Sequence, residues 1–496
     1  MVIETSAPDP AIEALMARMP KIAHTAHRPL STGELSYAIT RSGGGIADPS
    51  TVVSLVCSQG HLITDDEVIL ACAALRLRHP LLASKLTLVG VPQYTPTRRA
   101  AKEQIEFHTF DDQDAAVLAL RDAWVAFDLD NALDYVFGLI TTHFVTDNRR
   151  RLNVVRQFLE LLANPGRAKA ELDAYFATGS RPAPVIPIST EQFQPKPSGD
   201  KSEALQAQVA YDELVTRYAN EPMSGIIPDG SLRAPLRPRM VRKVWSAGET
   251  ARILRACKAH SATVTHLVNV AGSLSSVYPS LNAAAAPASE ISYCFDFFQA
   301  VDVAAKAASK AETEMETVVR MDLYPVVLRV TRAQIVDSAN EPEGVWDIAR
   351  LYKEQNDAFL KSPYFWHLLA MHSVRVTESY QAMLAGKPSL PFMSSLGDLK
   401  TLLPARYPVH PPAASSDGGS EATGAEIRIT DNWTAGMVDP LSLAVHLFTF
   451  DGRLHLQCRH NVSFMSDALV VPWFDGLIEI VSRAVESVPG GLEAHS

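Results

Sequence analysis

Tyr135-Val136-Phe137-Gly138-Leu139-Ile140-Thr141-Thr142-His143-Phe144-Val145-Thr146-Asp147-Asn148 is the stretch that decides how the rest of this 496-residue chain is read. From Tyr135 to Thr142 it is mostly apolar, of strand length and bounded by polar residues, the pattern of a buried strand. Beyond it Val155, Phe158, Leu159 and Leu162 follow helical spacing, and Asn164-Pro165-Gly166 stops the helix. Between strand and helix lie His143 and, four residues on, Asp147. The order strand, histidine, turn, aspartate, helix places an imidazole at a strand end, facing a crevice. The carboxylate sits on the return of the turn, where an arginine can hold it. A histidine near neutral pKa can take the proton of an alcohol or amine as that group attacks an acyl carbon. No nucleophilic side chain is needed, but two substrates must be positioned and the oxyanion needs a donor. The spacing alone also fits plain structure, with Asp147 as an N-cap of the helix starting near Arg149 and His143 as a satisfied core histidine.

Upstream, Thr64-Asp65-Asp66-Glu67 is a capping box that opens a helix running to about Arg78. Its apolar positions Val68, Ile69, Leu70, Cys72, Ala73 and Leu75 are dense enough to be largely buried. Downstream, Pro182, Pro184, Pro187, Pro195 and Pro197 exclude a continuous helix or a central strand. A second proline-bearing stretch runs from Pro222 to Pro238, with a short polar helix near Ala204 to Tyr218 between the two. Together they read as a crossover, which divides the chain into lobes at 1–180 and 241–496 with a linker at 181–240. A third break, Pro404 to Glu426, includes the low-complexity run Ala413 to Gly419 and is expected to be a mobile surface loop. Leu443 to Thr449 and Leu454 to Arg459 flank Phe450-Asp451-Gly452, a hairpin signal, and an amphipathic helix follows from about Asp467 to Val488. Trp366, in the amphipathic stretch around Ile348 to Met371, is expected in the core.

Composition excludes broad classes. Apolar residues are 47% and charged residues 20%, which suits a globular protein and not a disordered one. Lys plus Arg is 45 against 55 for Asp plus Glu, and a net charge of -10 argues against a nucleic-acid partner. The five cysteines show no zinc or redox spacing and read as buried thiols of a reducing compartment. No apolar run reaches membrane-spanning length, and Met1 to Ile12 lacks the features of a signal peptide, so a soluble cytoplasmic protein is expected. Ser42-Gly43-Gly44-Gly45 lacks the context of a phosphate loop, and Gly272-Ser273-Leu274-Ser275-Ser276 lacks the closing glycine of a nucleophile elbow. His24 and His27 have no further ligand to complete a metal site, so no metal is expected.

Several segments together resemble one superfamily. Leu75-Arg76-Leu77-Arg78-His79-Pro80-Leu81-Leu82 is similar to the Arg-His-Pro-x-Leu-Arg stretch of condensation domains and alcohol acyltransferases, a superfamily that includes chloramphenicol acetyltransferase and the plant BAHD acyltransferases. Its hallmark, His-x-x-x-Asp after a buried strand of the first lobe, matches His143 and Asp147. Arg28-Pro29-Leu30-Ser31 with Glu34 looks like the start of these enzymes, and Ala262-Thr263-Val264-Thr265-His266-Leu267 resembles the helix opening their second lobe. Pro391-Phe392-Met393-Ser394-Ser395-Leu396-Gly397 resembles a strand near their lobe interface. The hairpin at Phe450-Asp451-Gly452-Arg453-Leu454 and His460-Asn461 resemble their last strands.

The resemblance implies an α/β fold of two chloramphenicol-acetyltransferase-like lobes, each a mixed sheet flanked by helices, with a channel at their interface. It implies a monomer that moves an acyl group from acyl-CoA, as co-substrate and not as a bound cofactor, to a hydroxyl of a small-molecule acceptor. His143 would be the general base, Asp147 its structural anchor, and Arg78 the ion-pair partner of Asp147. Ser394 or Ser395 would donate to the oxyanion or line the channel, with Thr142 beside them. Three departures refine this. Thr142 stands where peptide-forming condensation domains carry a second histidine. Asn148 replaces the usual glycine after the aspartate, a position where asparagine tolerates positive φ. The Asp-Phe-Gly-Trp-Gly motif of plant enzymes is absent. These point to a stand-alone, fungal-type acyltransferase acting on a secondary metabolite, an alcohol or a glycolipid. The alternatives are a non-catalytic binding paralogue of the same fold and an amide-forming enzyme fed by a carrier-protein thioester.

Overall fold

The computed structural model describes residues 28–31, 34–35, 49–87, 93–96, 135–141, 143, 145–177, 186–217, 221, 223–230, 237–281, 292–307, 317–372, 392–410, 424–436 and 443–486. His24, His27 and the glycine run 43–45 lie outside them, as do Thr142, residues 181–185 and the low-complexity run Ala413 to Gly419. The chain divides into two compact units. The first is built from residues 1–193, 303–320 and 399–437, and the second from 194–302, 321–398 and 438–496.

In the first unit, β1 (Arg28–Pro29), β3 (Ser84–Thr87) and β4 (Gln93–Pro96) form a small antiparallel sheet in the order β1-β4-β3. The larger sheet joins β2 (Pro49–Cys57), β5 (Tyr135–Ile140), β10 (Arg406–Pro408) and β11 (Glu426–Gly436) in the order β10-β11-β2-β5, antiparallel throughout. The lobe boundaries read from the sequence put 399–437 and 303–320 in the second lobe. The pairing of β11 along β2, from Ile427↔Cys57 to Gly436↔Pro49, gives 399–437 to the first unit instead. The expected loop 404–426 likewise contributes a strand, because Arg406, Tyr407 and Pro408 pair with Arg428, Ile427 and Glu426. Nor is β5 wholly buried. Val136 and Gly138 are exposed while Tyr135, Phe137 and Leu139 are half-buried, since β5 ends the strand order and packs one face on a helix.

That helix is α2 (Asn148–Leu162), and Phe158 on it stacks on Phe137 of β5 with centroids 4.1 Å apart. It stops at Ala163, and α3 (Pro165–Ala177) restarts at the proline, whose fixed φ suits a first helical position. Helix α1 (Asp65–Arg78) is opened by the expected capping box. The Glu67 amide donates to Thr64 Oγ1 at 3.3 Å and the Thr64 amide donates to the Glu67 carboxylate at 2.9 Å. Ile69, Leu70, Ala71, Ala73, Ala74 and Leu75 are buried, as its apolar density requires.

The second unit is a six-stranded mixed sheet of β6 (Pro238–Val244), β7 (Ser292–Asp302), β8 (Met321–Thr331), β9 (Phe392–Asp398), β12 (Ala444–Phe450) and β13 (Arg453–Asn461), ordered β6-β13-β12-β9-β7-β8. Only β9 runs parallel to its neighbours. The β12–β13 hairpin turns at Asp451 (φ 47°) and Gly452 (φ 73°), the paired positive φ values for which Asp-Gly is selected. Helices α4 (Lys201–Tyr211), α5 (Ala247–Ala259), α6 (Val264–Leu281), α7 (Arg332–Asn340), α8 (Pro342–Leu360) and α9 (Asp467–Glu486) belong to the same unit. The run Gly272 to Ser276 lies inside α6. A Cβ at Gly272 would meet the Trp473 ring of α9 at 3.3 Å, and its carbonyl accepts the Trp473 indole N–H at 2.8 Å, so this glycine serves helix packing. Trp366 is half-buried, edge-on to Phe365 at 5.0 Å. Among the described residues no helix is long and apolar enough to cross a membrane.

Candidate active site

After β5 the chain makes a turn that carries His143 and closes on itself. The Thr141 and Thr146 hydroxyls, both buried, hydrogen-bond across its base at 2.5 Å. His143, between these two threonines in sequence, is half-buried. Val145 faces inward to a cluster with Leu81, Ile186 and Val318, against which Leu30 and Leu82 pack. Three stretches that are distant in sequence, 28–31, 78–82 and 143–147, thus meet through side chains that exclude water from the back of the turn.

Asp147 ends the turn and begins α2. Its Oδ1 accepts the Arg150 amide at 2.9 Å, the N-cap bond of that helix. Its Oδ2 accepts the Arg320 amide at 2.8 Å and the Arg150 guanidinium at 3.3 Å. The N-cap role and the anchoring role, alternatives when only the spacing is known, are filled by the two oxygens of one carboxylate. Among the described residues these donors come from Arg150 and Arg320 and not from His143, so the carboxylate fastens the end of the turn to the start of α2. Asn148 is the first helical residue, with its side chain against the Arg151 guanidinium, and its φ is not positive, so the position makes no demand for glycine. Arg151, fully buried, reaches back to Thr51 Oγ1 of β2 at 2.8 Å and ties the start of α2 to the sheet.

The expected pairing of Arg78 with Asp147 does not form. The Arg78 guanidinium grips Glu171 of α3 in a two-pronged pair at 2.9 and 2.6 Å and donates to Gln157 at 3.2 Å. Its hydrogen bond holds the Glu171 carboxyl below the usual range despite an opposing contribution from burial. An arginine in the last turn of α1 faces α3, which packs beside it, and not the start of α2. The next residue, His79, is buried and hydrogen-bonds Gln157 at 3.2 Å; burial pushes its pKa from 6.5 down to about 4, which makes it a neutral structural histidine. Arg28 pairs with Glu34 in the same two-pronged way, at 2.8 and 2.6 Å, and both side chains are buried.

His143, Asp147 and Asn148 are therefore brought together in the first unit, joined by Arg150 and Arg320, which the sequence reading missed. Arg150 was discoverable as the i+3 neighbour of an N-cap carboxylate. Arg320 acts here through its backbone N–H, which no residue type advertises. Ser394 and Ser395 lie in the second unit on β9, where Ser394 is buried and Ser395 shares a hydrogen bond of 2.8 Å with Thr265 at the start of α6. Among the described residues no group of three His, Cys, Asp or Glu side chains is placed to hold a metal ion.

In sequence, no protein-family model and no curated protein matches the chain. In structure the similarity is extensive. The trichothecene 15-O-acetyltransferase TRI3 of Fusarium sporotrichioides superposes with a TM-score of 0.66 at 15% identity, over 94% of this chain and 97% of that one. Polyketide synthase associated protein 5 of Mycobacterium tuberculosis gives 0.54 at 15% identity, over 92% and 98%. The EpoB cyclization-docking bidomain of a Sorangium cellulosum peptide synthetase gives 0.54 at 14% identity, over 97% and 88%. With its antiparallel first sheet and its mixed six-stranded second sheet, the chain shares the fold of these solved acetyltransferase and peptide-synthetase structures.

Proposed function

We propose that the protein is an O-acyltransferase that moves an acyl group from acyl-CoA to a hydroxyl of a small-molecule acceptor, a secondary metabolite, alcohol or glycolipid, with His143 as general base. The observation that carries this reading is the locked turn. A half-buried imidazole follows a strand, and the turn behind it is pinned by a carboxylate whose partners are all structural. In the reaction His143 accepts the acceptor's hydroxyl proton as its oxygen forms a bond to the thioester carbonyl carbon. Collapse of the tetrahedral intermediate breaks the carbon–sulfur bond, and the proton passes from His143 to the leaving CoA thiolate. The fold shared with an O-acetyltransferase supports the same reading, while the acceptor and the donor form rest on the proposal alone. The test is release of free thiol from a panel of acyl-CoAs with mixed alcohols. Parental protein is expected to release thiol in an acceptor-dependent way, and His143→Ala to lose at least about a hundredfold of the rate while staying folded, the scale of a general base. Unchanged turnover by His143→Ala overturns the assignment, and turnover of a carrier-protein thioester but of no acyl-CoA overturns the donor.

A further inference from the structure

We propose that a small cavity in the second unit, between α6, α9 and the sheet, is a binding site for one ordered water molecule held by Ser273 and Asn269. The inference concerns the core of this unit alone and is independent of the acyltransferase reading. The cavity is faced by side chains of α6, α9 and the strands β7, β9 and β12, which leave about 10 Å³ in which the centre of a water molecule can sit. That is the room one water needs, and too little for a second. Most of the wall is apolar, closed by Phe297, Met393, Val445, Trp473 and Leu477. Two side chains of α6 are the exception.

Ser273 is 1% exposed, and its Oγ is buried with no hydrogen-bond partner among the described residues. A serine inside a helix commonly returns its hydroxyl to a carbonyl about one turn back. Ser276 does so, donating to the Ser273 carbonyl at 2.7 Å, and Ser275 donates across to the Trp473 carbonyl at 2.8 Å. Ser273 makes neither kind of bond. Asn269, also buried, stands four residues earlier, on the same face of α6. Its Nδ2 donates to Gln299 Oε1 at 3.2 Å and to Tyr352 Oη at 3.0 Å. Both amide hydrogens are thereby used, and Oδ1 is left to accept. A water that donates to Asn269 Oδ1 and bonds Ser273 Oγ satisfies both groups, and two polar partners are enough to keep a cavity of this size hydrated. An apolar guest would leave the hydroxyl and the amide oxygen buried and unmatched, which is the costly arrangement.

The test is a high-resolution crystal structure of the parental protein, together with thermal melts of the parental protein and Ser273→Ala. One isolated density peak is expected in the cavity, about 2.7–3.2 Å from both Ser273 Oγ and Asn269 Oδ1. The melts separate a hydrated cavity from a dry one by sign. If the hydroxyl holds a water, alanine removes a bond, and its better helix propensity offsets part of that loss. The melting temperature of Ser273→Ala is then expected to stay level or to fall by up to about 4 °C. If the cavity is dry, alanine removes a buried hydroxyl that had no partner, and the melting temperature rises. A rise in that melt would overturn the proposal. So would an empty cavity in the parental crystal, or a Ser273 hydroxyl turned onto the Asn269 backbone carbonyl with no peak beside it.

Discussion

The Asp147 carboxylate is the residue on which the site's geometry converges, and its environment sets what its loss should do. It and Arg150 are each about 3% exposed, so the pair is shielded from water. Removing one member of such a buried pair typically costs about 3–5 kcal/mol, because the other charge is left uncompensated. Arg78 and Glu171 are 19% and 33% exposed, and a pair of that kind contributes about 1 kcal/mol or less. Asp147→Asn is therefore expected to lower both the melting temperature and kcat. Arg78→Gln should leave kcat at the parental value and lower stability only slightly. Thermal melts and thiol-release kinetics on the two variants check this, and an equal kcat loss in Arg78→Gln would return the Asp147 partnership to Arg78. The contrast also shows why the pairing was misread. A helix-end arginine can reach carboxylates on more than one neighbouring helix, and sequence does not say which helix packs beside it.

At the scale of elements, what was legible in the sequence was what is local. The α1 capping box, the N-cap before α2, the helix stop before Asn164-Pro165-Gly166 and the Asp-Gly hairpin are each written within a few residues, and each is present. The pairing of β11 with β2 joins strands more than 350 residues apart, and a bulge between Ile429 and Asp431 breaks its alternation, so periodicity could not place it. The Arg320 contact with Asp147 spans 173 residues and is made by backbone. The His143 turn lies between these cases, because its motif is local but its closure depends on the Thr141 and Thr146 hydroxyls meeting. Thr146→Val removes that bond and leaves the buried Thr141 hydroxyl without its partner, at a cost of about 1–3 kcal/mol. Faster amide exchange at 141–147 and a lower kcat are expected. Parental exchange there would mean that the hydroxyl pair does not hold the turn.

At the scale of the whole molecule, buried neutral histidines set how the protein answers acid. His79 in the first unit and His266 and His455 in the second are held at about 4, about 4 and about 3, in each case chiefly by burial. For His266 geometry agrees, since its Nδ1 accepts the Thr263 amide at 3.3 Å and cannot do so when protonated. His455 lies flat on Phe448 with centroids 4.9 Å apart, and among the described residues neither of its ring nitrogens has a hydrogen-bond partner. Because these folded-state values lie below the ordinary 6.5, the unfolded chain takes up protons first as pH falls. Stability from each group is then complete above about pH 6.5 and is lost between there and about pH 4. Over that window each histidine adds close to one proton to the linkage slope, about 1.4 kcal/mol per pH unit. Denaturant titrations from pH 7 to pH 4.5 should show stability falling before most carboxylates titrate. In His79→Gln, where an amide can still donate to Gln157, the slope for the first unit should drop by about one proton. A slope unchanged by that substitution would mean that His79 is already protonated in the folded protein, and that its bond to Gln157 is made by a cation.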